Sequence, residues 1–288
     1  MPKEIRLTTY TLQYPEVAWL QLKALEHHWE RADVRALLEA KDSVMLKTTN
    51  VSGISLLVPG LHSAVIDGHR VSVPKSKTPH PVAFRKVRGK WNIDATQGTM
   101  GKHPGSTGPI DDAFMKSFLF VRPTTKPANP QVGEWVEAEL AHARKMWRDV
   151  FRGEAPMVDD IHLTDQQAAT NNLILWGDPR SNRTLAVLLE SLPLKWNDKE
   201  LIFNRKTYDA SDHAPILIFP NPLNREHYVV INSGIDFRAD AYGSNARQTP
   251  KLPDYAIVDL NTPPGRRWPG KIVDAGFFNE SWELEKAR

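Results

Sequence analysis

The stretch NNLILWGDPRSNRTLAVLL, residues Asn171 to Leu189, decides how the second half of the chain is read. Leu173 to Trp176 is an unbroken apolar run, the pattern of a strand covered on both faces. Gly177 to Asn182 is a polar turn. Ser181 or Asn182 can cap a following helix by accepting from its free N–H groups. Leu185, Leu188, Leu189 and Leu192 then repeat at helical spacing and form one apolar stripe. A strand that feeds a helix through a short turn is the elementary α/β unit, and such turns gather ligand sites.

The residues on either side extend the same reading. Gly133 to Phe151 carries Val136, Leu140, Ala143, Trp147 and Val150 at helical spacing, with Gly153 placed to end the helix. Phe118–Val121, Ala214–Phe219, His227–Ile231 and Tyr255–Leu260 are further apolar strands. Ile235 to Gln248 reads as a helix or lid-like loop, and Glu280–Arg288 as a short terminal helix. Upstream, short runs of period two argue for an antiparallel sheet or sandwich, and Asp67-Gly68 between two apolar runs is a hairpin signal. The expected fold class is therefore mixed α/β. An antiparallel, sandwich-like β module over residues 1–112 precedes a three-layer Rossmann-like or flavodoxin-like domain over residues 113–288.

Composition narrows the chemistry. The 288 residues include no Cys, which removes disulfides, thiolate metal sites and a Cys nucleophile together. No apolar run approaches the roughly 20 residues of a membrane helix, so no membrane partner is expected. The first residues lack the apolar core of a signal peptide. Residues 1–130 carry 18 Lys and Arg against 11 Asp and Glu, whereas the rest carry 19 against 23. Between Gly68 and Asp94 seven basic residues, including Arg70, Lys75 and Lys90, occur without an acid. Such a run can bind a polyanion, but no nucleic-acid motif accompanies it, and a run of this kind is more often a solvated loop and strand edge.

Several segments carry a resemblance. TTYTLQYPEVAWLQLKALEHHWERADVRA, TTNVSGISL, GPIDDAFMKSFLFVRPT, NNLILWGDPRSN, DHAPILIFPNPLN and NARQTPKLPDYAIVDL resemble the C-terminal region of large bacterial prolyl oligopeptidase-like and esterase-like α/β hydrolases. The resemblance implies an extracytoplasmic setting and a hydrolase domain upstream that carries the nucleophile. Such a nucleophile needs a G-x-S-x-G elbow, which holds the Ser above the sheet. This chain contains none, and Gly105-Ser106-Thr107-Gly108 has the wrong spacing. The family's Ser therefore maps onto no residue here.

Three functions follow as expectations. The first is an accessory, non-catalytic region that packs on a hydrolase and shapes access for a small-molecule, peptide or glycan substrate. The second is a stand-alone hydrolase of esters, lactones or glycans. Its relay would draw on Asp178, Ser181, Asp212 and His213, with Ser233 as another hydroxyl. Arg180, Asn182, Asn221, Asn224 and Asn245 would contact ligand. The third is a polyanion-binding module using Arg70 to Lys90. No cofactor is expected. Asp159, Asp160 and His162 supply metal-ligand types, with Asp178, Asp212 and His213 at a distance, but not a metal-site spacing. Trp19 and Trp29 suit either sugar stacking or the core of the β module.

Overall fold

Hydrophobic alternation builds the first half of the chain. In the computed structural model, which describes residues 1–76, 78, 80–94, 101–235, 253–265 and 267–284, the chain divides into two units. Unit one is Met1–Thr107 with Asn279–Trp282, and unit two is Gly108–Phe278 with Glu283–Arg288. Unit one contains β1 (Glu4–Thr9), β2 (Glu16–Val17), β3 (Leu20–Leu25), β4 (Ala32–Ala40), β5 (Ser43–Thr49), β6 (Val51–Leu56), β7 (Ser63–Ile66), β8 (His69–Ser72), β9 (Val82–Val87) and β10 (Lys90–Ile93).

These strands form two five-stranded sheets, ordered β1-β4-β5-β7-β8 and β10-β9-β6-β3-β2. The inward residues of both make one core, including Leu20, Leu22, Val34, Ala36, Ile54 and Phe84. Period-two strands bury one face in this way. The module is not wholly antiparallel, because β5 and β7 run parallel. The turns at Asp67-Gly68 (φ 51° and 83°) and Arg88-Gly89 (φ 49° and 77°) have both central residues left-handed, the geometry of a two-residue hairpin. The basic run is partly neutralised within this unit: Arg85 pairs with Asp94 at 2.9 Å and Lys86 with Glu26 at 2.9 Å.

Unit two contains β11 (Phe118–Arg122), α1 (Pro130–Phe151), β12 (Met157–Asp159), α2 (Asp165–Thr170), β13 (Asn172–Leu175), α3 (Arg183–Leu188), β14 (Lys195–Trp196), β15 (Glu200–Phe203), β16 (Lys206–Asp209), β17 (His213–Pro220), β18 (Tyr228–Ile231), β19 (Tyr255–Asp259) and β20 (Lys271–Gly276). Its main sheet has the order β12-β11-β13-β18-β17-β19-β20. The first four are parallel neighbours, and β17, β19 and β20 then alternate in direction. The central strands β13 and β18 are buried at every residue, which explains their apolar runs.

The Rossmann-like or flavodoxin-like expectation is overturned. Among the described residues strands account for 40% and helices for only 16%, too little helix to cover both faces of a doubly wound sheet. Only α1 is long; α2 and α3 have six residues each. After α3 a short 3₁₀ turn, Leu189–Ser191, leads into a second sheet, β14-β15-β16, where the Rossmann reading requires a crossover helix. Pro193 limits continuation of α3, since the residue before a proline avoids the helical region. At the end of α1, Arg152 rather than Gly153 takes the left-handed capping position. The tail is not helical through Leu284, which bridges to Phe278. Most of the helix or lid expected over 235–248 lies outside the described residues.

Candidate functional site

The register of the main sheet sorts the candidate residues between its two ends. β13 runs parallel to β18, so Gly177 and Asn232 follow their strands at the same end. β17 runs antiparallel to β18, so His213 starts its strand at that end too. The Asn221–His227 connection lies at the opposite end. Asn221 and Asn224 therefore do not join the others. Their side-chain oxygens accept from Leu223 N–H at 3.0 Å and Glu226 N–H at 3.1 Å, which is turn formation. Asn245 lies outside the described residues.

The turn after β13 is closed on itself. Gly177 has φ 115° and is clamped by Asn232, which accepts from its N–H at 2.8 Å and donates to its carbonyl at 3.0 Å. Asp178 is 2% exposed. One carboxylate oxygen accepts from the N–H groups of Arg180 (3.1 Å) and Ser181 (2.7 Å), and the other from Ala128 N–H at 2.7 Å. Ser181 Oγ accepts from Asp178 N–H at 2.9 Å and donates to the Asp178 carbonyl. This reciprocal pattern, three residues apart, is that of a capping box. Asn182 is fully buried, accepts from Leu185 N–H at 3.0 Å to cap α3, and donates to the carbonyls of Val121 and Trp176. Arg180 projects to solvent, 3.9 Å from an equally exposed Asp198.

A second cluster sits at the start of β17. His213 Nδ1 lies 2.6 Å from Asp212 Oδ1, and Asn261 donates to Asp212 Oδ2 at 2.9 Å. The Tyr208 ring is 5.3 Å from the imidazole. Burial, then the adjacent Asp274 carboxylate, push the Tyr208 hydroxyl up to about 12. Asp212 thus orients an imidazole whose Nε2 makes no hydrogen bond with a described residue, the arrangement of a general base. Neither Asp178 nor Ser181 hydrogen-bonds to this cluster, so the expected four-residue relay is not assembled. Ser233 is buried and donates to the Gly234 carbonyl. Asn261 and Tyr208 were not singled out from the sequence; only their nearness to the ends of strands could have signalled them.

Two of the metal-ligand types and one of the indoles serve the fold. Asp159 pairs with Arg122, and Asp160 accepts from Arg183 N–H at 2.6 Å at the start of α3. No group of three His, Asp or Glu among the described residues converges as metal ligands. Trp19 is 3% exposed, and its indole donates to the Pro2 carbonyl at 2.9 Å, so it fills core rather than stacking on sugar.

One buried polar cluster has no counterpart in the sequence reading. Asp112 accepts from the Tyr228 hydroxyl at 2.5 Å, which in turn accepts from Gly108 N–H. Asp254 accepts from Phe278 N–H at 3.0 Å. Asp111 lies close to both carboxylates. Burial first, and then the charges of Asp112 and Asp254, push its carboxyl up to about 6.

Compared with known proteins, the chain matches no family model, no curated protein and no solved structure. Among the described residues no helix is long and apolar enough to cross a membrane.

Proposed function

We propose that the chain is an accessory, non-catalytic region of an esterase- or peptidase-type hydrolase, shaping substrate access to a nucleophile carried elsewhere. The likeness of the segments quoted above motivates the hydrolase context. The supporting observation is the closed turn at Gly177–Asn182. The two side chains best typed for a relay, Asp178 and Ser181, are buried and hydrogen-bonded within their own turn. A nucleophile needs an exposed hydroxyl within reach of its base.

The rival reading is hydrolysis by the chain itself, and the oriented pair Asp212–His213 favours it. One assay separates the two. Purified protein is incubated with aryl esters, lactones and peptide anilides. The accessory reading expects the uncatalysed rate. Turnover that falls about a hundredfold or more in His213→Ala, the usual contribution of a general base, would overturn it.

A further inference from the structure

The small sheet of unit two carries a groove of about 940 Å³, at the upper end of the size of small-molecule sites. Leu189, Pro193 and Ile202, each part-exposed, give it an apolar lining, with Leu192, Leu194, Trp196 and Phe203 buried behind them. β15 alternates, so Leu201 is fully buried beneath while Ile202 faces the groove side of the sheet. Its charge is one-sided. Lys195, Arg205 and Lys206 line it, against the single carboxylate of Glu190. Lys206 is already paired with Asp274 at 2.9 Å. Lys195, directly opposite Ile202 in the β14–β15 pair, and Arg205, at the hairpin tip, form no ion pair with a described residue.

The backbone adds an independent observation. Asn204 and Arg205 form the two-residue β15–β16 turn with φ 48° and 63°. The second position of such a turn favours glycine, because a Cβ is strained at positive φ. The two corresponding hairpins of unit one do place glycine there, Gly68 and Gly89. This hairpin places an arginine there instead, on the rim of the groove. Strained residues of this kind cluster where a side chain is used.

We propose that the groove binds a small amphipathic carboxylate, its apolar body along the part-exposed Leu189, Pro193 and Ile202 and its carboxylate against Arg205 and Lys195. The guanidinium suits a carboxylate because two of its N–H groups match the two oxygens. The proposal concerns a different part of the chain from the β13 turn and does not depend on the hydrolase reading.

Decanoate is the probe, titrated calorimetrically into the full chain, with decyltrimethylammonium as the opposite-charge control. Saturable decanoate binding is expected, about tenfold weaker in Arg205→Gly, the size of one lost charge-assisted hydrogen bond. Arg205→Gly should also melt at a higher temperature than the parent, because glycine relieves the turn; unfolding therefore cannot explain its loss of affinity. Ile202→Glu, which places a like charge among the apolar lining, should abolish binding. The proposal is overturned by any of three results. They are no decanoate binding, equal affinity in Arg205→Gly or Ile202→Glu, or equal affinity for decyltrimethylammonium.

Discussion

Asp111 titrates against its own fold. Its carboxyl rises from 3.8 to about 6, first because it is buried and then because Asp112 and Asp254 are near. The native state therefore holds this proton more tightly than the unfolded chain does. The stability it contributes is complete below pH 3.8 and is lost as pH rises through about 6. Asp111→Asn should remove that dependence and be more stable than the parent at pH 8 by about 1–3 kcal/mol. Urea titrations at pH 4 and pH 8 check this; an unchanged difference between the two pH values in the variant would refute it. Asp111 and Asp112 carried no signal of their own in the sequence, since the residues that matter to them, Tyr228 and Asp254, come from more than a hundred residues away. Asp178 and Ser181 teach the converse. Their residue types suggested a relay, but their i, i+3 spacing is also that of reciprocal backbone capping, and the local bonds won. The Asp212–His213 contact joins neighbours in the chain, whereas the relay expected from the sequence set His213 against Asp178; Asn261 comes from a distant segment and had no signal of its own.

At the scale of elements, apolarity was readable and direction was not. The unbroken runs at 173–176, 214–219 and 255–260 marked strands buried on both faces, and β13, β17 and β19 occupy those positions. A parallel and an antiparallel buried strand have the same composition, so the alternation beyond β18 left no trace in the residues. The β15–β16 hairpin was missed because Asn204-Arg205 lacks the glycine that marks Asp67-Gly68. Within the organising strand and turn, Gly177 is the position that admits no substitute. Its φ is 115°, and an added Cβ would lie 2.5 Å from Ser181 Oγ and 3.2 Å from Pro123 Cβ. Gly177→Ala should destabilise unit two by about 1–3 kcal/mol, combining backbone strain with loss of the Asp178–Ser181 closure. Chemical denaturation of the two proteins measures this, and coincident midpoints would show that the turn tolerates a side chain.

For the molecule as a whole, the return of Asn279–Trp282 to unit one could not be read from the sequence. Glu280 accepts from the His28 backbone N–H and lies 2.7 Å from its ring Nδ1, and its own carbonyl accepts from Lys102 N–H at 2.8 Å. Trp282 is 4% exposed, with the Lys102 ammonium 4.9 Å from its ring. The tail reads locally as a polar helix because its partners are in the first 102 residues of the chain. Trp282→Ala should therefore destabilise unit one by about 3–5 kcal/mol, the usual cost of deleting a buried indole. Hydrogen exchange should accelerate in the strands of the sandwich; unaltered exchange there would separate the tail from that core. The same return governs the protein's birth. A ribosome adding about 5–20 residues per second needs on the order of ten to thirty seconds to produce everything between Thr107 and Asn279. For that interval the nascent sandwich waits without Asn279–Trp282, so a pause or premature stop between the two would leave that unit unfinished.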